Sequence, residues 1–247
     1  MRGFLSALSF LTVVPVPRRV HSDLAGLRAS LGWYPAVGIL LGAVNWAVFS
    51  LLSGTPVVAA LGATVATFVM TRGLHADGLA DSADAMLAGG TPARRHEILK
   101  DPRHGTFGVL ALVLDCLSRV VILASVGPTA PIAAFVMPVI GRWAMVFALS
   151  RAAYDPKGTL KSAAAGSGKK SLGWATITVV GLMAFISSFG PSVAAAYGLA
   201  FGILLLAVPA WLKVVRARLG AIPGDAMGAL NEGAELLVLF IFYAVAR

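Results

Sequence analysis

The sequence predicts an all-α, polytopic integral membrane protein, and three observations carry that prediction. Of its 247 residues, 58% are hydrophobic and only 13% are charged, against about 25% charge in a soluble domain, and the mean hydropathy is +0.84. Apolar runs of spanning length recur at roughly 31–53, 56–72, 106–126, 130–150, 172–190, 192–212 and 230–246, each near the ~20 residues a helix needs to cross a bilayer. No alternating barrel pattern appears, and a backbone in lipid must satisfy its own hydrogen bonds, so helices are the assignment. The expectation is a bundle of about six to seven transmembrane helices plus a short N-terminal interfacial helix. Residues 1–247 are expected to form a single integral membrane domain, with no convincing internal repeat.

The elements follow in order. Phe4 to Val16 is apolar but too short to span. With Arg2 ahead of it this stretch imitates a signal peptide, yet no small-x-small cleavage pattern precedes Pro15 or Arg18, so an interfacial or re-entrant helix ending at Pro15-Val-Pro17 is expected. In the first two spans Gly32, Gly38, Gly42 and Gly62 read as close helix packing through small residues. The connections then alternate. Ser53–Pro56, Gly127–Pro131 and Ser188–Pro191 carry no charge, whereas the others hold Arg94, Arg95, Lys100 and Arg103, then Arg151, Lys157, Lys161, Lys169 and Lys170, then Lys213, Arg216 and Arg218.

Basic residues confined to alternate connections orient a helical bundle with those connections in the cytoplasm. The net charge of +9 therefore reports topology, and nucleic acid is not an expected partner. The protein is expected in the plasma (inner) membrane, multi-pass, with its site facing the cytoplasm. A conduit needs polar groups reaching both faces, and the uncharged connections here are minimal, which favours an enzyme over a transporter. Cys116 is the single cysteine, so neither a disulfide within the chain nor a cysteine metal site is available.

Chemistry concentrates in two segments. Only 11 residues are acidic, and Asp77, Asp81 and Asp84 fall within eight positions. At about 100° per residue, these spacings put all three on one helical face within an arc of roughly 60°. Three carboxylates on one face repel one another, and an oxygen-loving divalent cation offsets that, Mg²⁺ being the usual one where phosphates are handled. Asp77 as a helix cap with two solvated neighbours is the bland alternative. It does not account for three at a membrane boundary. Gly73 and Gly78 leave room for a ligand or another helix. His75 lies about 160° from Asp77 on such a helix, which makes it a weaker ligand but leaves it able to touch substrate from the helix start.

Arg94 to Asp101 looks like a solvated amphipathic helix. Lys100, Asp101, Arg103, Gly105, Thr106 and Gly108 then combine cations, a turn and glycines before a span, an arrangement suited to an anion at a helix N-terminus. The glycine–lysine order excludes a P-loop. Asp115 and Arg119 lie four apart inside the third run and can pair. Arg142, nearer the basic end of the fourth run, can reach the same cavity. The last segment, Gly220 to Glu232 followed by Glu235, places Asp225 and Glu232 seven apart on one face with Gly228 between them. Asp225 as an N-cap after Pro223-Gly224 is the alternative there. The basic, glycine/serine-rich stretch 151–171 is expected to be flexible and able to close over an anionic substrate.

At these residues the chain resembles the cobalamin 5'-phosphate synthases, also called adenosylcobinamide-GDP ribazoletransferases. The resembling segments are Leu8-Ser-Phe-Leu-Thr with Pro15-Val-Pro17, His75-x-Asp-Gly-Leu-Ala-Asp-Ser-x-Asp84, Glu97-Ile-Leu-Lys-Asp-x-Arg-x-Gly-Thr-x-Gly108 and Gly224-Asp-x-x-Gly-Ala-x-x-Glu232. They occur in the family's order and span nearly the whole chain. Ser82 and Ala85 depart from the family's usual threonine and glycine, and both leave the three carboxylates in place.

The resemblance implies transfer of the adenosylcobinamide-phosphate group from adenosylcobinamide-GDP to α-ribazole or its 5'-phosphate. The products are adenosylcobalamin or its 5'-phosphate, and GMP, in a Mg²⁺-dependent nucleotide-loop assembly. Expected site residues are Asp77, Asp81 and Asp84 on the metal; Asp81, Asp84, Lys100 and Arg103 in catalysis; and His75, Asp101, Gly105, Thr106, Arg142, Asp225 and Glu232 on substrate. Membrane lipid surrounds the bundle, and self-association into a homo-oligomer stays open. The alternative is a CDP-alcohol phosphotransferase making phospholipid. That family carries an aspartate–glycine–x–x–alanine–arginine core, whereas position 81 here is acidic.

Overall fold

In the computed structural model the described residues are 2–17, 26, 29–151 and 168–245. Among them the regular secondary structure is helical, and six helical segments are long and apolar enough to cross a membrane. A seventh candidate is a bent pair, Pro56–Thr71 with Leu74–Leu87, turned by 90° at the break. The ten α-helices run α1 Arg2–Leu11, α2 Tyr34–Leu51, α3 Pro56–Thr71, α4 Leu74–Leu87, α5 Pro92–Leu99, α6 Thr106–Ser125, α7 Ala130–Arg151, α8 Gly168–Ser187, α9 Pro191–Leu219 and α10 Asp225–Val245.

The central helix is α7. From Ile132 to Leu149 every residue is buried, as its apolar character on all sides demands. Helix α2 lies directly on it, because Gly38 and Gly42 let the backbones touch: a Cβ at Gly38 would sit 2.6 Å from the Pro138 carbonyl oxygen. The packing role expected of these glycines is thereby met. Asn45 fixes the layer further, donating to Ala134 O at 3.3 Å while its Oδ1 accepts from Thr67 at 3.0 Å. Helices α8, α9 and α10 pack around the other sides of α7, and α6 closes against α3, α4 and α10.

Helix α1 is too short to span, as expected. It docks beside α2, and Val13 N donates to Met70 O at 2.7 Å, which ties its end to the end of α3. The break between α3 and α4 has a backbone cause. Arg72 (φ 55°) and Gly73 (φ 65°) are consecutive left-handed residues, a conformation that stops a right-handed helix. Helix α4 therefore leaves the direction of α3 and lies across the charged end of the bundle. Gly73 serves this turn; a Cβ there would meet nothing within 4 Å.

Two helices extend beyond the apolar runs of the sequence. Helix α9 continues to Leu219, so Lys213, Arg216 and Arg218 sit on its last turns rather than in a connection. The cations there suit the negative end of the helix dipole. The last helix begins at Asp225, ahead of the apolar run at 230–246, which carries Asn231, Glu232 and Glu235 into the bundle. Of the basic connection 151–171, residues 152–167 lie outside the described residues, and with them the expected closing loop.

Candidate active site

Helix α4 carries the three aspartates on one helix, as their spacing predicts. Their burial is graded: Asp77 is exposed, Asp81 half-buried and Asp84 buried. The helix lies against the first turns of α10, and the crossing is built from two glycines. A Cβ at Gly78 would lie 2.7 Å from the Asp225 carbonyl oxygen, and one at Gly228 would lie 2.9 Å from that of His75. Backbone contact at this crossing brings Asp225 to the acidic face of α4. Asp77 and Asp225 line one cavity. Burial first, then the charges of Asp77 and Asp225, push the Asp81 carboxyl up to about 6.

Asp225 is not the cap. The Gly224 carbonyl accepts the first helical bonds, from Met227 N at 2.8 Å and Gly228 N at 3.4 Å, so Asp225 occupies the first helical position. The His104 ring approaches Asp81, with Nδ1 3.7 Å from Asp81 Oδ1. Among the described residues, Asp77, Asp84 and Asp225 take part in no ion pair.

Asp84 has a different task. Its Oδ2 accepts from Gly105 N at 2.6 Å and its Oδ1 from Gly108 N at 2.9 Å. The glycines expected to admit a phosphate to the start of α6 instead admit this carboxylate: a Cβ at Gly108 would lie 2.5 Å from Asp84 Oδ2. The anion at that helix N-terminus is the protein's own. Thr106, the first residue of α6, is exposed beside it. Asp101, Arg103, His104, Gly105, Thr106 and Asp84 nevertheless line one cavity of about 500 Å³. Arg103 is paired there with Asp101 at 2.7 Å, a contact so exposed that an anionic ligand can compete for the guanidinium. Lys100 is exposed on the same loop.

A second open cavity, about 520 Å³, is lined by Arg72, Asp77 and His104. Arg72 and His104 were not among the residues singled out from sequence. The signal for both is their adjacency to the aspartate segment and to the 103–108 turn.

A deeper set of charges lies further down the bundle. Arg119 is fully buried; its Nε donates to Asp115 at 2.7 Å and its Nη1 to Glu235 at 2.6 Å, and its Nη2 holds Glu232. Arg142, also fully buried, pairs with Glu235 and reaches His75 Nδ1 at 3.3 Å. Asn231 donates to Glu235 at 3.0 Å and Glu232 at 3.2 Å. Two guanidiniums thus meet three carboxylates on α6, α7 and α10. Glu232 therefore belongs with Arg119 and not with Asp225. Seven residues along a helix is about 10 Å of rise, enough to put one carboxylate at the charged end and the other inside. Glu235 is the hub of this set.

The chemistry of the upper set fits a divalent cation. It consists of hard oxygen donors, and among the described residues no lysine or arginine is paired to Asp77, Asp81 or Asp225. Among the described residues no group of three acidic, histidine or cysteine side chains already converges as a ligand set. Asp77 and Asp81 are one helical turn apart, however, where side-chain rotation alone brings oxygens together.

Fold and site define a multi-pass helical membrane protein whose unpaired carboxylates gather at one end, over a buried network of ion pairs. The chain belongs to the cobalamin-5-phosphate synthase family, whose profile matches residues 3–243. It is 36% identical over 241 residues to an adenosylcobinamide-GDP ribazoletransferase of Desulforamulus reducens, covering 95% of this chain and 93% of that one. It is 38% identical over 248 residues to the enzyme of the same name from Syntrophobacter fumaroxidans, covering 96% of each chain. Against that of Pseudomonas fluorescens the identity is 37% over 240 residues, with 94% and 95% covered. No solved structure matches.

Proposed function

We propose that this protein is an adenosylcobinamide-GDP ribazoletransferase that assembles the nucleotide loop of cobalamin from the cytoplasmic side of the inner membrane, with Mg²⁺ as its cofactor. The observation that carries the reading is the glycine-to-glycine crossing of α4 and α10, which joins Asp77 and Asp81 to Asp225 at the charged end of the bundle. The aspartate segment and the last segment meet at this crossing, the 105–108 turn of the third is bonded to Asp84, and Phe10 of the first lines the cavity of Asp77 and Asp225.

In this reaction a ribazole hydroxyl forms a bond to the corrinoid-side phosphorus of adenosylcobinamide-GDP. The bond from that phosphorus to the bridging oxygen breaks, and GMP leaves. When bound, Mg²⁺ neutralises charge on the diphosphate, and Asp77 and Asp81 would hold it, with a lone pair of Asp84 available to assist. Asp84 also pins the 105–108 turn against α4, so the cavity beside Arg103 keeps its shape. Arg103, Lys100 and Arg72 are the cations positioned to hold phosphate oxygens. Asp225, across the crossing and free of an ion pair, accepts the hydroxyl proton. The deep network holds α6, α7 and α10 in register and fixes His75. Its residues Arg142 and Glu232 act by positioning, which revises the substrate contact expected of them.

The test is an assay of the purified protein with adenosylcobinamide-GDP and α-ribazole, with and without chelator, and with CDP-diacylglycerol plus an alcohol as control. GMP release that needs ribazole and a divalent cation supports the reading. Turnover only in the control would replace it with phospholipid synthesis.

A further inference from the structure

Beside the acidic crossing lies a cavity of about 260 Å³ whose apolar part has no task in the reaction outlined above. Its walls are the apolar side chains of Phe10, Tyr34, Leu74, Met145, Leu149 and Met227, and Asp77 and Asp225 also line it. Phe10 and Tyr34 are stacked, with centroids 6.2 Å apart and planes inclined by 19°. Sites for whole drug-sized ligands run from about 300 to 1,000 Å³, so this one suits a single ring system and not a diphosphate or a corrin.

One polar group in its lining has no partner. His75 is buried, and its Nε2 has no hydrogen-bond partner in the protein. Its Nδ1 faces Arg142 Nη2 at 3.3 Å. A guanidinium can only donate, so Nδ1 must accept. The ring is then neutral with its proton on Nε2. The tautomer leaves a buried N–H donor with nothing to donate to, on a residue that lines this cavity. An unmet buried donor is costly.

We propose that this cavity binds the aromatic base of the acceptor nucleoside, with His75 Nε2–H donating to the base's unsubstituted ring nitrogen and the sugar directed toward Asp77 and Asp225. The assignment rests on the ribazole-transfer reading for the identity of the nucleoside. It also gives the N-terminal helix a task, since Phe10 of α1 forms one wall.

The experiment uses the full-length protein in detergent and two acceptors: α-ribazole and the analogue with C–H in place of the free ring nitrogen. Equilibrium binding of each is measured alongside turnover. Wild-type protein should bind and use ribazole about 10- to 100-fold better than the analogue, the span of a buried hydrogen bond lost. His75→Leu should abolish that preference. His75→Gln, which keeps a donor, should retain part of it. Met227→Trp and Leu149→Phe fill the cavity without touching the Arg142 contact. In either variant that keeps the wild-type chromatographic profile, the KM for ribazole should rise at least about tenfold, while that for adenosylcobinamide-GDP stays within about twofold. Equal use of both acceptors by wild type, or a rise confined to the adenosylcobinamide-GDP KM in the filled variants, would overturn the proposal. Ribazole binding that shows the His75 preference without any turnover would instead leave the cavity assignment standing and remove the transferase reading.

Discussion

The protein holds two groups of carboxylates, and they differ in what faces them. Asp115, Glu232 and Glu235 lie inside the bundle and are met by Arg119 and Arg142. Asp77, Asp81 and Asp225 lie at the charged end, where the one ion-pair contact among the described residues is His104, 3.7 Å from Asp81. A buried carboxylate with neither a cation nor hydrogen-bond donors is untenable in a membrane; Asp84 has two backbone N–H donors, and the deep group has guanidiniums supplied by the fold itself. The upper group borders open cavities and was left unneutralised. The contrast teaches that acidic spacing alone does not mark chemistry in such a protein. What marks it is acidic spacing that the protein leaves without its own counter-charge.

Several substitutions break or sharpen this contrast. The largest effect belongs to the deep group. Arg119→Met strips three carboxylates of their shared partner and should destabilise the fold by about 3–5 kcal/mol, seen as lost detergent-resistant monodisperse protein. Wild-type stability in that variant would mean the network is not structural. Next is Asp225→Ser. Turnover should fall by about two to four orders of magnitude, the weight of a general base. The melting temperature should barely move, because a first-turn acid contributes less than about 1 kcal/mol. Comparable losses of stability and activity would merge the two groups into one.

Gly78→Ala probes the crossing that joins them. A Cβ at 2.7 Å from the Asp225 carbonyl oxygen must push α4 from α10, at a cost of about 1–3 kcal/mol, with turnover falling further than the melting temperature suggests. An unchanged turnover would show that the crossing does not set the site. The smallest effect is expected at the exposed Arg94–Glu97 pair. Arg94→Ala should change stability by under about 0.5 kcal/mol and leave turnover intact. A marked loss would bring α5 into the site.

Much of this was legible in the sequence, for identifiable reasons. The α4 aspartates follow from helical spacing, and the Asp115–Arg119 pair from an i, i+4 separation. The glycines of α2 follow from their recurrence in a span. What sequence obscured is where helices begin and whom they meet. Asp225 and Glu232 share a face of α10, but the early start of that helix places one at the crossing and the other against Arg119. Gly105 and Gly108 resemble a phosphate cradle because a carboxylate and a phosphate ask the same thing of a backbone. Only tertiary contact shows that Asp84 takes the place. Arg95, expected to set topology, instead ties α5 to the Arg218 carbonyl oxygen at 3.0 Å, a separation in sequence that no local pattern reports. His75 looked peripheral by its angle to Asp77, and gains its interest from Arg142 on a distant helix.

The central claim is that the upper carboxylates, and not the deep ones, hold a divalent cation. Mn²⁺ binding to the purified full-length protein, followed by its paramagnetic resonance, tests this without reference to turnover. Wild type should bind Mn²⁺ in competition with Mg²⁺, and Asp81→Asn should weaken that binding at least about tenfold. Glu232→Gln, which keeps the shape of its side chain, should bind as wild type does. The reverse pattern, with binding kept in Asp81→Asn and lost in a folded Glu232→Gln, would contradict the account.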